Sequence, residues 1–116
     1  MHVPKPTEAD KSYFRSIVPV DPRVEVKPMF GNLGAFVNGN MFMGLFGSQV
    51  GLKLTPSEIA ALMSIDGAGP FGPSERPMAG YVSLPPAWRG EPQAAQWVSR
   101  ALDFVAAMPP KKPKGG

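Results

Sequence analysis

Asn38-Gly39 stands between two apolar runs, Gly34–Val37 and Met41–Phe46, and this pair constrains the chain more than any other short feature. An Asn-Gly step supplies the two left-handed residues of a type I′ turn, so the flanking runs must fold back on each other as an antiparallel hairpin. A second tight turn at Gly47-Ser48 returns the chain into Val50-Gly51-Leu52-Lys53-Leu54, which predicts a three-stranded meander. With two-residue loops at both turns, Phe36 falls opposite Met41, Leu45 opposite Val50, Met43 opposite Leu52 and Met41 opposite Leu54. Side chains alternate along a strand, so these residues share one face, the expected core face. The other face then carries Ala35, Val37, Phe42, Gly44, Phe46, Gln49, Gly51 and Lys53. If helices cover only the first side, Val37, Phe42 and Phe46 form an exposed apolar patch, the usual mark of a contact surface. The competing expectation is that the loop at residues 67–77, with Pro70 and Phe71, folds over this face and buries it.

Helix signals flank the meander. Thr7 followed by Asp10 reads as an N-cap with an acidic first turn, and Tyr13, Phe14, Ile17 and Val18 repeat at helical spacing before Pro19 and Pro22. Thr55-Pro56-Ser57-Glu58 is a capping box with proline at the first helical position, and Ile59, Leu62 and Met63 mark a short helix stopped by Gly67. A Gly/Pro-rich loop leads to a strand over 78–84, ended by Pro85-Pro86. Ala94, Trp97, Val98, Ala101, Leu102 and Val105 then form the stripe of the longest helix, closed by Pro109. The order is α-β-β-β-α-β(β)-α. It predicts a two-layer α+β domain over residues 1–108, with helices on one face of an antiparallel sheet, followed by a flexible basic tail over 109–116.

A chain of 116 residues supports one core. Cysteine is absent, so disulfides, zinc–thiolate sites and thiol nucleophiles are excluded, which fits a reducing compartment and a cytoplasmic location. The opening residues lack an apolar h-region, and no run approaches a membrane span. The net charge of +3 resides in Lys111, Lys112 and Lys114, leaving nine bases against nine acids in residues 1–110. No basic stripe of the kind expected on a nucleic-acid reader follows from this distribution.

Candidate sites thin out on inspection. His2 is the single histidine and sits at the terminus. Glu8, Asp10 and Glu58 are accounted for by helix starts, Asp66 and Asp103 by solvated helix positions. Gly31-Asn32-Leu33-Gly34 has the GxxG spacing of a KH loop, but it enters a hairpin where a KH loop joins two helices, so it reads as a turn opening a strand. No phosphate-cradling or dinucleotide fingerprint is present. Trp97 falls on the last helix's apolar stripe, whereas Trp88, next to Arg89, is the tryptophan more available for contact. No catalytic, metal or cofactor residues are expected.

Met29-Phe30-Gly31, then Gly34 through Phe42, Leu52-Lys53, Pro70-Phe71 and Met78 through Pro85 together resemble the TfoX N-terminal domain family over about residues 10–106. The resemblance implies a two-layer fold with an antiparallel sheet. It also implies a bacterial role around transcription, because full-length TfoX and Sxy proteins, which carry a second C-terminal domain, regulate competence genes together with the cyclic AMP receptor protein. The expectation is therefore a non-enzymatic module that binds a protein of the transcription machinery, or a second copy of itself, through Val37, Phe42 and Phe46. One alternative is weak, sequence-independent nucleic-acid binding through Lys111, Lys112, Lys114 and Arg89, with a salt slope of about −2.7 for three neutralised phosphates. The other is a small enzyme or ligand binder.

Overall fold

Both tight turns form, and a third precedes them. In the computed structural model, which describes residues 3–111, Asn38 and Gly39 take φ of +54° and +77°, and Gly47 takes +63°. These turns join β2 (Asn32–Val37), β3 (Asn40–Phe46) and β4 (Gln49–Lys53). The additional strand is β1 (Val24–Met29), paired with β2 from Val24↔Val37 to Met29↔Asn32. Its alternation, Val24-Glu25-Val26-Lys27, runs for four residues before Pro28 interrupts it, which is why the sequence hid it. Proline is tolerated because β1 is an edge strand. The two-residue turn makes Met29↔Asn32 the closing hydrogen-bonded pair, so the nitrogen of Pro28 points to the open side, where no ladder bond is lost.

Three helices and a six-stranded antiparallel sheet make the fold α+β, as expected. The sheet runs β1-β2-β3-β4-β6-β5, with β5 at Gly69–Pro70 and β6 at Tyr81–Ser83. Helices α1 (Glu8–Ile17), α2 (Pro56–Met63) and α3 (Pro92–Ala106) lie on one face, with a single 3-10 turn at Pro86–Trp88 before α3. α3 lies across β2, β3 and β4, α2 against β6, and α1 against α3. The predicted N-cap of α1 and capping box of α2 both form: the backbone N–H of Asp10 donates to Thr7 Oγ1 at 3.0 Å, and that of Glu58 to Thr55 Oγ1 at 3.2 Å. The α3 stripe buries Ala94, Val98, Ala101, Leu102 and Val105. Trp97 is half-buried, with the Arg100 guanidinium 4.4 Å from its ring centre.

The register overturns part of the expected face assignment. Phe36↔Met41, Leu45↔Val50 and Met43↔Leu52 pair as predicted, while Met41 and Leu54 do not, since β4 ends at Lys53. Between Ala35 and Phe36 the register shifts: Ala35 pairs with Met43 and Phe36 with Met41, leaving Phe42 as the extra residue of a β-bulge. A bulge reverses side-chain parity on either side of it. Val37 therefore joins Leu33, Ala35, Met43 and Leu45 under the helices, Phe42 turns inward with them, and Phe36 and Met41 go to the opposite face. Val37 and Phe42 are both 0% exposed, so neither can touch a partner from the folded domain.

At the C-terminal end, the Lys111 backbone N–H donates to the Asn38 carbonyl at 2.8 Å, and Asn40 Nδ2 donates to the Pro109 carbonyl at 3.1 Å. The first residues of the expected tail thus lie along the β2–β3 turn. Lys112 and Lys114, like His2, fall outside the described residues.

Candidate functional site

The face turned away from the helices is built on a row of glycines. Gly34 pairs with Gly44, and Gly44 with Gly51, so three adjacent strands present no side chain at one level and a trough results. The trough is partly filled from above. Phe36 and Met41 lean over Gly34, where a Cβ would come within 2.9 Å of the Phe36 ring and 3.0 Å of the Met41 sulfur. Phe71 lies directly on Gly51, so closely that a Cβ on that glycine would overlap the ring carbons Cγ, Cδ1 and Cδ2. The 67–77 loop does fold over this face, then, and it does so through Phe71, which is 2% exposed. Phe71 meets Phe46 edge-on at 6.3 Å and Tyr81 at 6.0 Å between ring centres. The loop is held by Met78 N–H donating to the Phe71 carbonyl at 2.9 Å and Gly72 N–H donating to Gln49 Oε1 at 3.3 Å.

Beside this cover an apolar cleft of about 350 Å³ stays open. Met29, Phe30, Met41, Phe46, Phe71 and Met78 supply most of its wall, with Val3 and Pro73 at the margins. Its one polar side chain, Asn32, is bonded to backbone at both ends: Nδ2 donates to the Pro4 carbonyl at 3.2 Å and Oδ1 accepts from Gly47 N–H at 2.8 Å. The lining therefore offers dispersion and apolar burial and no directional polar recognition. Of the three residues expected to carry partner contact, only Phe46 reaches this surface, and it is half-buried. At the rim stands Phe30, 86% exposed, in a left-handed backbone with φ of +50°, followed by Gly31 at +81°. Sequence reasoning missed both the cleft and Phe30. The signals were present, since Gly44 opposite Gly51 follows from the two-residue turn at 47–48, and Phe30-Gly31 occupies a turn slot that normally holds Asn-Gly.

A second, more polar cavity of about 280 Å³ lies between α1 and Pro85-Pro86, lined in part by Tyr13, Gln49, Ser83 and Arg89. Arg89 is committed there. Its Nη1 donates to Asp10 Oδ1 at 2.8 Å and its guanidinium sits 4.9 Å from the Tyr13 ring centre. It clips α1 to the segment before α3, and so it is a poor donor for a nucleic-acid phosphate. Three other bases are also paired with acids. Lys11 pairs with Glu8, Arg23 with Asp21 and Lys27 with Glu25. Lys27 packs over Phe36 on the open sheet face whereas Arg89 packs on α1, so the two do not share a surface.

Asp10 carries a testable pH dependence. The Thr7 backbone N–H, donating at 2.8 Å, and then Arg89 hold its carboxyl below the usual carboxylate value. A folded-state pKa below the unfolded one stabilises the fold above the unfolded pKa, and the contribution is lost as pH falls through the folded value. Asp10→Asn is expected to remove about 1 kcal/mol at neutral pH, through the cap and the ion pair, and to flatten the stability profile below about pH 4. Urea denaturation of both proteins across that range checks it. Tyr81 is different in kind: burial pushes its phenol up to about 12, and its hydroxyl donates to the Met41 carbonyl at 2.8 Å, tying β6 to the cleft wall.

Among the described residues no group of three or more His, Cys, Asp or Glu side chains is placed to hold a metal, and no helix is long and apolar enough to cross a membrane. Fold and surface together define a small α+β domain with an apolar cleft on the helix-free face of its sheet. A family model described as the TfoX N-terminal domain matches residues 16–105, and the chain belongs to that family. The match takes in every cleft residue except Val3. No curated protein and no solved structure matches the chain.

Proposed function

We propose that this domain is a non-catalytic regulatory module that docks on a protein of the bacterial transcription machinery through the apolar cleft of its open sheet face. The observation that carries the reading is the pairing of a 350 Å³ apolar cleft, free of unsatisfied polar side chains, with an exposed aromatic ring at its rim. Surfaces of that composition gain free energy by burying side chains of a partner, and methionine walls adapt to the shape presented. Membership of the TfoX N-terminal domain family supports a competence-related regulator as the setting, and the cyclic AMP receptor protein is the partner to try first. The distribution of charge supports protein over nucleic acid, since residues 1–110 carry as many acids as bases and Lys11, Arg23, Lys27 and Arg89 are paired with acids.

Phe46→Ser tests the reading. Phe46 is half-buried at the cleft edge, so its loss is expected to cost about 2 kcal/mol of stability and leave the domain folded. Affinity for purified cyclic AMP receptor protein, followed by biolayer interferometry, is expected to fall about 30-fold, the effect of removing one aromatic anchor. Unchanged affinity in a folded variant would exclude the cleft as the docking site.

A further inference from the structure

We infer that two copies of this chain pair about a twofold axis by exchanging Phe30 rings, each ring entering the apolar cleft of the other copy. The inference rests on the cleft being a protein-docking surface and names a second copy as its occupant.

The first support is the conformation of Phe30. The two-residue turns at 30–31 and 38–39 both place two successive residues at positive φ, and the second uses Asn-Gly, whose residues adopt that backbone readily. At 30–31 the first position is a phenylalanine, which enters the left-handed region only under strain and here leaves 86% of its surface in solvent. Among the described residues nothing covers the ring. A contact from outside would bury it and so offset the cost of holding it there.

The second support is fit. An apolar cavity of about 150 Å³ is enough to hold a benzene ring, so the 350 Å³ cleft accepts a phenyl group with room for the methionines to close around it. Phe30 lines the rim of this cleft but does not fill it. Knob and hole therefore belong to one surface patch, the condition for an isologous twofold contact that closes on itself instead of propagating into a filament. Charge does not oppose the pairing: β1, which leads into the Phe30 turn, carries one base and one acid on this face, Lys27 and Glu25, already 3.6 Å apart.

The rival route to a dimer, strand addition at the β1 edge, is blunted. Three residues of β1 turn their backbone outward: Val24, Val26 and Pro28. Val24 N–H is bonded to the Asp21 carbonyl at 3.0 Å and proline has no N–H, so only Val26 retains an outward donor. The contact between copies is accordingly made by side chains.

Sedimentation equilibrium on the full chain, from about 1 to 300 μM to cover a micromolar dissociation constant, is expected to show a reversible monomer–dimer equilibrium. Phe30→Gly is expected to raise the dimer dissociation constant roughly a hundredfold or more, because both anchors are lost at once. It should also keep or raise the unfolding temperature, since glycine adopts positive φ without strain. Phe30→Asn should behave alike. A wild-type monomer at the highest concentration, a Phe30→Gly protein that still dimerises, or loss of folding in both variants would each overturn the inference, the last because the ring would then serve its own fold. The docking reading is separable by the same samples. A monomeric wild type whose binding to cyclic AMP receptor protein still falls with Phe46→Ser keeps the docking reading and removes ring exchange. A Phe30-dependent dimer whose receptor binding ignores Phe46→Ser does the reverse.

Discussion

Phe42→Ser is expected to bring the domain close to unfolding at room temperature, with a loss of about 4 to 6 kcal/mol. Phe42 is the bulged residue of β3 and is 0% exposed within the core formed by the helices and the sheet. Truncating a buried phenylalanine costs about 3 to 5 kcal/mol through lost transfer energy and the cavity left behind, and a buried hydroxyl without a partner adds about 1 kcal/mol or more. Small domains have about 5 to 15 kcal/mol in total, so the unfolding midpoint should drop by roughly 15 to 25 °C or the transition should vanish. Differential scanning calorimetry of Phe42→Ser beside Phe46→Ser separates the two positions. Sequence alternation places them on the same exposed face; the structure separates them, with Phe42 in the core and Phe46 at the cleft. Equal, small shifts for both would mean that the bulge does not exist in solution.

That contrast shows where the sequence was readable. Asn38-Gly39, the Thr7 N-cap and the Thr55–Glu58 capping box were legible because each depends on two to four neighbouring residues whose geometry decides the outcome locally. The stripe of α3 was legible because a 3.6-residue period survives any packing arrangement. The bulge at Phe42 was not, since one extra residue in a ladder leaves no compositional mark while exchanging the faces of β2 and Met41 relative to the rest of β3 and β4. Val37 moved from presumed contact residue to core by that single step. Strand β1 was hidden for a related reason. The sequence Val24-Glu25-Val26-Lys27 alternates for four residues only, and Pro28 argues against a strand unless the strand is known to be an edge, which only the assembled sheet shows.

The cleft belongs to a third category, in which each part was readable but the combination was not. Gly44 opposite Gly51 follows from the turn at 47–48, and the loop carrying Phe71 was one of the two expected fates of that face. What local reasoning lacks is the long-range fact that Phe71 comes down on Gly51 and stops there, leaving Phe46, Met41 and Met78 to border open space. The glycine row thus sets the depth of the cleft and the single aromatic of the loop sets its width. A substitution that added side-chain volume to the row would alter both.

Gly51→Ala puts that division of labour to a quantitative test. A methyl group at this position would occupy the place of the Phe71 ring, so the ring must lift and take its loop with it. Overpacking of this kind costs about 1 to 3 kcal/mol, and expelling a phenylalanine that is 2% exposed removes up to about 3 kcal/mol of burial, which gives an expected loss of about 2 to 4 kcal/mol. Phe71→Ala alone leaves the trough over Gly51 empty and is expected to cost about 3 kcal/mol. In the double variant the new methyl meets no ring and partly refills the space. The combined loss should fall short of the sum of the single losses by about 2 kcal/mol, a coupling well above the scatter seen for independent sites. Urea unfolding of the four proteins of this cycle measures it. Simple additivity would mean that Phe71 does not rest on Gly51 in solution, and the boundary of the cleft would then have to be drawn without it.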